Sequence, residues 1–317
     1  MIDRFKASGK VVGLSTRHLE QINTSVVDGF VKNKFRVPNR DGSEFIHLFT
    51  NPFNMEITLE GNLRKYWFGR NSAMNDFSYT SYISCIKFIA TVLRIKSKHL
   101  WHLSIRRIEI GGNIKLKRKY ADIIPAMKRY PRLYRVNYKK GTTKFKGTKK
   151  YIIAYDKLAE VLKNGNVRIS KKNKEKMLKS IFILRFEISF FGLHGSGLKN
   201  ELSTLLAVKN NWNDLIDFWV DSFGKIEVED ELGDIRKINK KSLNLTEIKE
   251  ILIYQAIKRK SLSEVYEFVN LYAKSHSWEY RKALLKIVRK CKPENDRFLK
   301  MEVEQKLLSK ASRLYKY

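Results

Sequence analysis

Three segments with the pattern of β-strands each carry a single acidic residue between apolar neighbours. These acids are Glu56 in NMEITL, Glu109 in RRIEIGG and Glu187 in LRFEISF. Alternation along a strand places Glu187 on the same face as Arg185 and Ser189, opposite the apolar face. A solvated sheet face accounts well for one such acid, but less well for three in a basic chain. Carboxylate oxygens grouped on a sheet are ligands that Mg²⁺ or Mn²⁺ prefers, and such an ion polarises a phosphodiester.

A fourth strand-like segment ends in a tyrosine, an acid and a lysine. In KYIIAYDKLAEV the consecutive residues are Tyr155, Asp156 and Lys157. A tyrosine hydroxyl can attack a phosphodiester and hold DNA as a phosphotyrosine, and a neighbouring ammonium stabilises the charge that develops. In a strict strand Tyr155 and Asp156 face opposite sides, so both reach one site only if the strand ends or bulges there. A packing role for the tyrosine is the alternative interpretation.

The charge of the chain indicates a polyanionic partner. The 317 residues contain 64 Lys and Arg against 32 Asp and Glu, a formal net charge of +32, and 43% of them are hydrophobic. Such a chain folds around a core and is not a disordered basic tail. Residues 115–176 contain 21 basic and 4 acidic residues, whereas residues 200–250 contain 7 basic and 11 acidic. This concentration favours a nucleic-acid-binding surface over a membrane-surface protein or a uniformly Lys-rich composition.

Phosphate contacts are expected from lysines in and around this basic block. The candidate DNA-binding residues are Lys139, Lys140, Lys144, Lys146, Lys149, Lys150, Lys171 and Lys172. Such contacts do not read sequence, so we expect the affinity for DNA to fall steeply with salt. Aromatic residues in the same block are candidates for stacking on unpaired bases, or else belong to the core. They are Tyr130, Tyr134, Tyr138 and Phe145.

Markers of secretion and membrane insertion are missing from the sequence. Its two cysteines, Cys85 and Cys291, cannot form a disulfide framework, which favours a reducing compartment. The first residues lack the apolar core of a signal peptide, and no stretch approaches 18 uninterrupted apolar residues. We therefore expect a cytoplasmic protein with no membrane partner.

The elements that must position these residues divide the chain into two parts. We predict a hairpin over 45–60, a helix over 81–95 and a strand over 102–110 closed by Gly111 and Gly112. These are followed by a basic amphipathic helix over 118–130 interrupted by Pro125, a hairpin from strands 143–146 and 149–156, and a strand over 182–190. After Gly197 the apolar residues follow helical spacing, in segments 198–223, 246–259, 261–275 and 277–291. The expected fold class is α+β, with an antiparallel-sheet domain over 1–197 and an all-helical domain over 198–317. The helical domain is a candidate for DNA binding, packing or self-association.

The order of these motifs resembles a family of replication initiators. The succession of Glu56, the helix at 81–95, SIRRIEI, the basic hairpin, KYIIAYDKLAEV and ILRFEISF is similar to the gene II replication initiators of filamentous phages. It also resembles the rolling-circle plasmid initiators that carry a Tyr-acid-Lys motif, and the resemblance covers roughly residues 45–195. It implies an HUH-type, RRM-like endonuclease fold and metal-dependent nicking and religation of one DNA strand at an origin. On this basis Tyr155 corresponds to the nucleophile and Lys157 to its companion. The implied metal ligands are Glu109, Asp156 and Glu187, with Glu56 as a further candidate.

The resulting hypothesis is a rolling-circle initiator of a phage or plasmid, acting in the cytoplasm of a bacterial host. Its cofactor would be Mg²⁺ or Mn²⁺, and its partners would be single-stranded and origin DNA. A host helicase is expected as a further partner because the chain has no GxxxxGK[ST] phosphate loop. A host polymerase is expected because nicking leaves a free 3′-hydroxyl. Two alternatives remain at this stage. One is a DNA- or RNA-binding protein without chemistry, and the other is a metal-dependent nuclease whose carboxylates activate water.

Overall fold

The computed structural model describes most of the chain in two compact units. The described residues are 1–27, 30–51, 53–69, 75–136, 141–163, 170–192, 198, 202–228, 244–260 and 299–316, with isolated residues between 265 and 291. The first unit comprises Met1–Glu227 and Met301–Tyr317, and the second comprises Val228–Lys300. The predicted domain boundary at 197 lies outside the described residues. The helices that follow it, up to residue 224, belong to the first unit and are not part of a separate helical domain.

The strands account for the α+β class that the sequence predicts. They are β1 (Ile2–Lys10), β2 (Glu20–Val27), β3 (Phe30–Pro38), β4 (Phe45–Asn51), β5 (Glu56–Asn62), β6 (Ser104–Lys117), β7 (Met127–Arg129), β8 (Tyr134–Val136), β9 (Thr142–Lys146), β10 (Lys150–Asp156), β11 (Ile181–Phe191) and β12 (Glu227–Val228). Ten of them form one sheet in the order β2-β3-β4-β5-β1-β6-β11-β10-β9-β8. All neighbouring strands in this sheet whose register is described run antiparallel.

The helices of the described residues are mostly short. They are α1 (Leu63–Phe68), α2 (Tyr79–Val92), α3 (Ser97–Trp101), α4 (Ile123–Ala126), α5 (Lys157–Lys163), α6 (Lys171–Ser180), α7 (Leu205–Asn210), α8 (Trp212–Gly224), α9 (Leu245–Lys260) and α10 (Leu299–Leu314). None of these helices is long and apolar enough to cross a lipid bilayer.

One face of the sheet carries the core. On β11 the apolar side chains alternate with polar ones, and Phe186 and Phe190 are buried against α8. The Trp219 indole N–H donates to the Phe186 carbonyl oxygen at 3.1 Å, and the ring of Phe218 lies 5.7 Å from that of Phe190. Because α8 covers this face, the polar side chains of β11 lie on the opposite face.

The predicted hairpins, the 81–95 helix and the 182–190 strand are confirmed, with bounds shifted by a few residues. The prediction that Gly111 and Gly112 close a strand is wrong, since β6 continues through both to Lys117. A Cβ at Gly112 would lie 2.7 Å from the Trp219 ring, so the glycine permits close packing and does not make a turn. The predicted basic helix over 118–130 is also wrong. That segment contains a 3-10 turn and the four-residue α4, and Pro125 has no N–H to extend it.

A candidate metal and tyrosine site

Four adjacent strands in the middle of the sheet bring polar side chains to the face away from α8. They are β1, β6, β11 and β10, in that order across the sheet. Tyr155 of β10 lies opposite Arg185 of β11, and Tyr151 lies opposite Ser189. Ser189 in turn lies opposite Glu109 of β6. Directly paired residues of an antiparallel ladder point to the same side, so these side chains share one face.

Three carboxylates meet at this place. One oxygen from each of Asp3, Glu109 and Glu187 lies within 4.8 Å of the other two. All three residues are buried, with exposures of 2%, 5% and 8%. The sequence pattern identifies Glu109 and Glu187 but not Asp3. Asp3 is followed by Arg4 in Ile2-Asp3-Arg4-Phe5, so the apolar-polar alternation that marks the other two acids is absent there.

Two buried arginines hold part of this acidic group. The Arg185 guanidinium donates to Asp3, to Glu187 Oε1 at 2.7 Å and to Asn113 Oδ1 at 3.1 Å. Arg64 Nε of α1 donates to Asp3 Oδ1 at 2.8 Å. Burial alone would raise the pKa of Asp3, but Arg185 and then Arg64 outweigh it and hold that pKa below its usual value. Asp3 is therefore ionised at neutral pH.

Glu109 has a different environment, formed by neutral hydroxyl groups. Its Oε2 accepts hydrogen bonds from Ser189 Oγ at 2.9 Å and from the Tyr151 hydroxyl at 3.3 Å. Burial, followed by repulsion from Glu187 and Asp3, raises the pKa of Glu109 to about 7. When Glu109 is ionised, the three carboxylates exceed the two guanidinium groups by one negative charge. Hard oxygen donors at this spacing, with unbalanced negative charge, fit one divalent cation such as Mg²⁺ or Mn²⁺.

Tyr155 adjoins the carboxylate group directly. Its hydroxyl donates to Glu187 Oε1 at 3.3 Å, and burial, followed by the charge of Glu187, raises its pKa well above the usual value. The strand ends at Asp156 and α5 begins at Lys157, which brings the lysine back beside the tyrosine. Lys157 Nζ lies 5.8 Å from the Tyr155 ring centroid and 2.5 Å from Glu160 Oε2. The structure thus brings together Tyr155, Lys157 and two of the four predicted metal ligands.

The other two predicted ligands do not join this group. Asp156 pairs with Arg118, and its Oδ1 accepts the Ala159 N–H at 3.0 Å, so its carboxylate caps α5. Glu56 is exposed at the start of β5, opposite Lys10. That register position is seven residues along β1 from Asp3, or about 20 Å at strand spacing. Alternation in the sequence identified the face of Glu56 but not its distance from the site.

The carboxylates lie among the lining residues of an open cavity of about 1580 Å³. Tyr151, Tyr155 and Lys157 also line it. Exposed basic residues contribute to the same lining. They are Arg4, Lys65, Arg135 and Lys163. An acidic group among basic side chains is an arrangement in which a phosphate can be held by the cations while an ion bound to the acids contacts it.

The predicted DNA-binding lysines are divided between the two faces of the sheet. Lys144 and Lys146 lie opposite Ile153 and Tyr151, on the face of the carboxylates. Lys150 instead lies opposite Phe190 on the core face. Its Nζ donates to the Tyr130 hydroxyl at 3.1 Å and lies 5.1 Å from the Phe218 ring. The prediction of a surface phosphate contact from Lys150 is therefore not supported by its position.

The remaining predicted contact residues are placed as follows. Lys149 and Lys172 are exposed, whereas Tyr130 and Phe145 are buried in the core. Tyr134 is 59% exposed. The described residues do not include Lys139, Lys140, Tyr138 or the side chain of Lys171.

Comparison of the chain with protein-family models gives no match, and comparison with curated proteins gives none either.

Proposed function

We propose that the protein nicks and rejoins single-stranded DNA through a phosphotyrosine at Tyr155, as a rolling-circle replication initiator with an HUH-type nicking domain. The observation that carries the proposal is the 3.3 Å contact between the Tyr155 hydroxyl and Glu187, a member of the three-carboxylate group. A nucleophile, its proton acceptor and a candidate metal site are then adjacent in one cavity with basic side chains.

Asp3, Glu109 and Glu187 would hold the Mg²⁺ or Mn²⁺ ion. Such an ion, when bound, supplies positive charge to the non-bridging oxygens of the scissile phosphate. Glu187 is placed to accept the phenolic proton, because the Tyr155 hydroxyl already donates to it. Since the pKa of Tyr155 is raised, proton transfer has to accompany the attack. The Lys157 ammonium group lies beside the Tyr155 ring. It would stabilise the negative charge that builds up at the reacting phosphate.

The reaction exchanges one ester for another. The Tyr155 oxygen forms a bond to phosphorus, the bond from phosphorus to the 3′ oxygen breaks, and that oxygen leaves as a hydroxyl after taking up a proton. The DNA end that keeps the phosphate becomes a 5′-phosphotyrosine. Attack by a 3′-hydroxyl reverses the exchange and rejoins a strand without ATP. The free 3′-hydroxyl would prime a host polymerase, and unwinding would require a host helicase.

The experiment uses the full-length protein and single-stranded oligonucleotides tiled across the DNA that flanks its own gene. Reactions with Mn²⁺, Mg²⁺ or EDTA are run on denaturing gels, with each oligonucleotide labelled at its 5′ or its 3′ end. We expect a denaturant-stable adduct that carries the 3′ label, requires the metal and disappears in Tyr155→Phe. The matched control is Tyr151→Phe, which removes a hydroxyl on the same strand face that contacts Glu109; it is expected to form the adduct at saturating Mn²⁺, because Tyr155 and all three carboxylates remain. An adduct that persists in Tyr155→Phe overturns the assignment of the nucleophile.

A metal-dependent nuclease that activates water is the second candidate function. It is favoured by the raised pKa of Tyr155, which opposes formation of the phenolate. This function gives cleavage without an adduct, and the cleavage survives in Tyr155→Phe. Binding without any cleavage by either route would leave a DNA- or RNA-binding protein.

A further inference from the structure

The sheet continues beyond the candidate site, and its polar face there carries a row of aromatic and cationic side chains. We define the β4 stripe as Phe45, His47 and Phe49 of β4 with Lys34 and Arg36 of β3. The β4 residues are two apart and alternate with Ile46 and Leu48, which are fully buried. Phe45 is 40% exposed. The stripe therefore faces away from the core.

The rings and cations of the β4 stripe are in direct contact. The Arg36 guanidinium lies 4.8 Å from the Phe45 ring centroid, and Lys34 Nζ lies 5.6 Å from that of Phe49. The His47 ring lies between the two phenylalanines, 5.0 Å from Phe45 and 6.2 Å from Phe49. Such an arrangement offers flat apolar surfaces for bases next to cations for phosphates, the chemistry of single-strand binding.

Polar atoms in this part of the sheet lack partners. Within the described residues, Arg36 Nε, His47 Nδ1 and Arg107 Nε are buried without a hydrogen-bond partner. The three belong to one cross-strand row, in which His47 lies opposite Arg36 and Glu60, Glu60 opposite Lys6, and Lys6 opposite Arg107. Buried nitrogen atoms of this kind are normally satisfied, so this row is a part of the polar face whose hydrogen bonding is incomplete.

The β4 stripe is continuous with the candidate site. Glu44, the residue before Phe45, lines the cavity together with Asn62 and Arg4, which face each other across β5 and β1. Strand β4 is five positions from β10, which carries Tyr155. At the spacing of strands this distance is about 24 Å. It corresponds to about seven nucleotides of a stacked strand at about 3.4 Å each.

We propose that the β4 stripe binds unpaired bases of single-stranded DNA about seven nucleotides from the phosphate that reacts at Tyr155. This inference rests on the proposed function for the position of the reacting phosphate. The stacking itself does not depend on cleavage, since it needs only the rings and cations of the stripe. The occupant is single-stranded DNA because the face combines aromatic rings with a net excess of cations in a chain of charge +32.

The test measures the affinity of full-length protein for a labelled single-stranded 20-mer and for the matching duplex, by fluorescence anisotropy without divalent metal. The variant is Phe45→Ala with Phe49→Ala, and Arg36→Gln is a second variant that removes the charge but keeps a polar side chain. The control is Phe53→Ala, in the turn after β4, which removes an equally large ring that is 74% exposed. Thermal midpoints equal to that of the wild-type protein show that the variants are folded.

We expect the double variant to lose about tenfold or more in affinity for the single strand, because base–aromatic stacking contributes about 1–3 kcal/mol per base. Arg36→Gln should weaken the same complex, and Phe53→Ala should match the wild-type protein. An unchanged affinity of the double variant overturns the proposal, and so does an equal loss for the duplex, whose bases are not free to stack. If the stripe variants lose single-strand binding but the wild-type protein forms no adduct, the assignment of the β4 stripe as a base-binding surface is supported and the proposed nicking function is overturned.

Discussion

A Cβ atom added to Gly111 would lie 2.8 Å from Cγ of Glu187 and 2.9 Å from the Phe186 carbonyl oxygen. Because Gly111 has no side chain, β6 can pair closely with β11, and the Glu187 side chain can lie over the Gly111 backbone. The neighbouring Gly112 has the same role on the other face, where its Cβ would meet Trp219 at 2.7 Å. Two adjacent glycines therefore separate the candidate site from the core.

Gly111→Ala should damage the site, and Gly112→Ala should damage the core. Each substitution adds a methyl group to a filled space, which costs about 1–3 kcal/mol of stability. Only Gly111→Ala should also displace Glu187 and slow adduct formation when assayed well below the melting temperature. Thermal melts and adduct rates of the two variants check this. Equal adduct rates in both would show that Glu187 adjusts without consequence.

Metal binding should depend on the three carboxylates that meet and not on the exposed Glu56. Removing one charged ligand by Glu109→Gln is expected to weaken Mn²⁺ binding about tenfold or more, in line with the sensitivity of metal sites to their supporting groups. Glu56→Gln should bind Mn²⁺ like the wild-type protein, because its position is about 20 Å from Asp3 along the strand. Isothermal titration with Mn²⁺ measures both. A loss of binding in Glu56→Gln, or none in Glu109→Gln, contradicts the assignment.

Removal of the Arg185 guanidinium should destabilise the fold strongly. Arg185→Met leaves Asp3 and Glu187 buried with one cation fewer, and breaking a buried ionic group of this kind costs about 3–5 kcal/mol. The control is Arg36→Met, whose ion pair with Glu20 at 3.0 Å is exposed and contributes less than about 1 kcal/mol. Urea unfolding at pH 7 gives the two free energies. Similar losses for both variants would show that burial of Arg185 has little energetic weight.

Lys150 should make stability depend on pH above neutrality. Burial lowers its pKa in the folded protein to about 8, whereas its usual value is 10.5. Between these values the unfolded chain holds the proton and the folded chain does not. The free energy of unfolding contributed by this group therefore rises with pH across that range, and the cost of burying the charge is fully present below pH 8.

Lys150→Met is expected to be more stable than the wild-type protein at pH 7 and to lose this advantage toward pH 10. Urea unfolding at several pH values between 7 and 10 measures the difference. Lys146→Met, in the same hairpin but exposed, should show a constant difference over that range. A pH-independent difference for Lys150→Met would show that the lysine keeps its proton in the core.

Local patterns in the sequence predicted individual strands and faces, but not which strands are neighbours. The alternation of LRFEISF placed Arg185, Glu187 and Ser189 on one face, and the pairing of β11 confirms this. The same alternation also makes Glu56 a candidate metal ligand. Its distance from the other carboxylates, however, depends on the register of β5 against β1. Register between distant segments is set by the assembled core, which a local pattern does not contain.

Asp3 shows a second limit of sequence reasoning. Its strand β1 has nine residues, but the pairing of β1 with β6 shifts register between Ile2 and Phe5. The bulge breaks the alternation that would otherwise mark the face of Asp3. The prediction that Gly111 and Gly112 end a strand is wrong for a related reason. Glycine in a strand signals either a turn or a close approach, and only the presence of Glu187 and Trp219 distinguishes the two.

The order of the central strands has a consequence for synthesis of the chain. Asp3 leaves the ribosome before its partners Glu109 and Glu187, which follow more than 100 and 180 residues later. Strand β1 lies between β5 and β6. The backbone hydrogen bonds along its two edges therefore form at different times during synthesis. The carboxylate group cannot close until β11 has emerged. A nascent chain that lacks β11 therefore has neither Glu187 nor the complete group of three carboxylates, and the proposed DNA chemistry would begin only after most of the first unit has been translated.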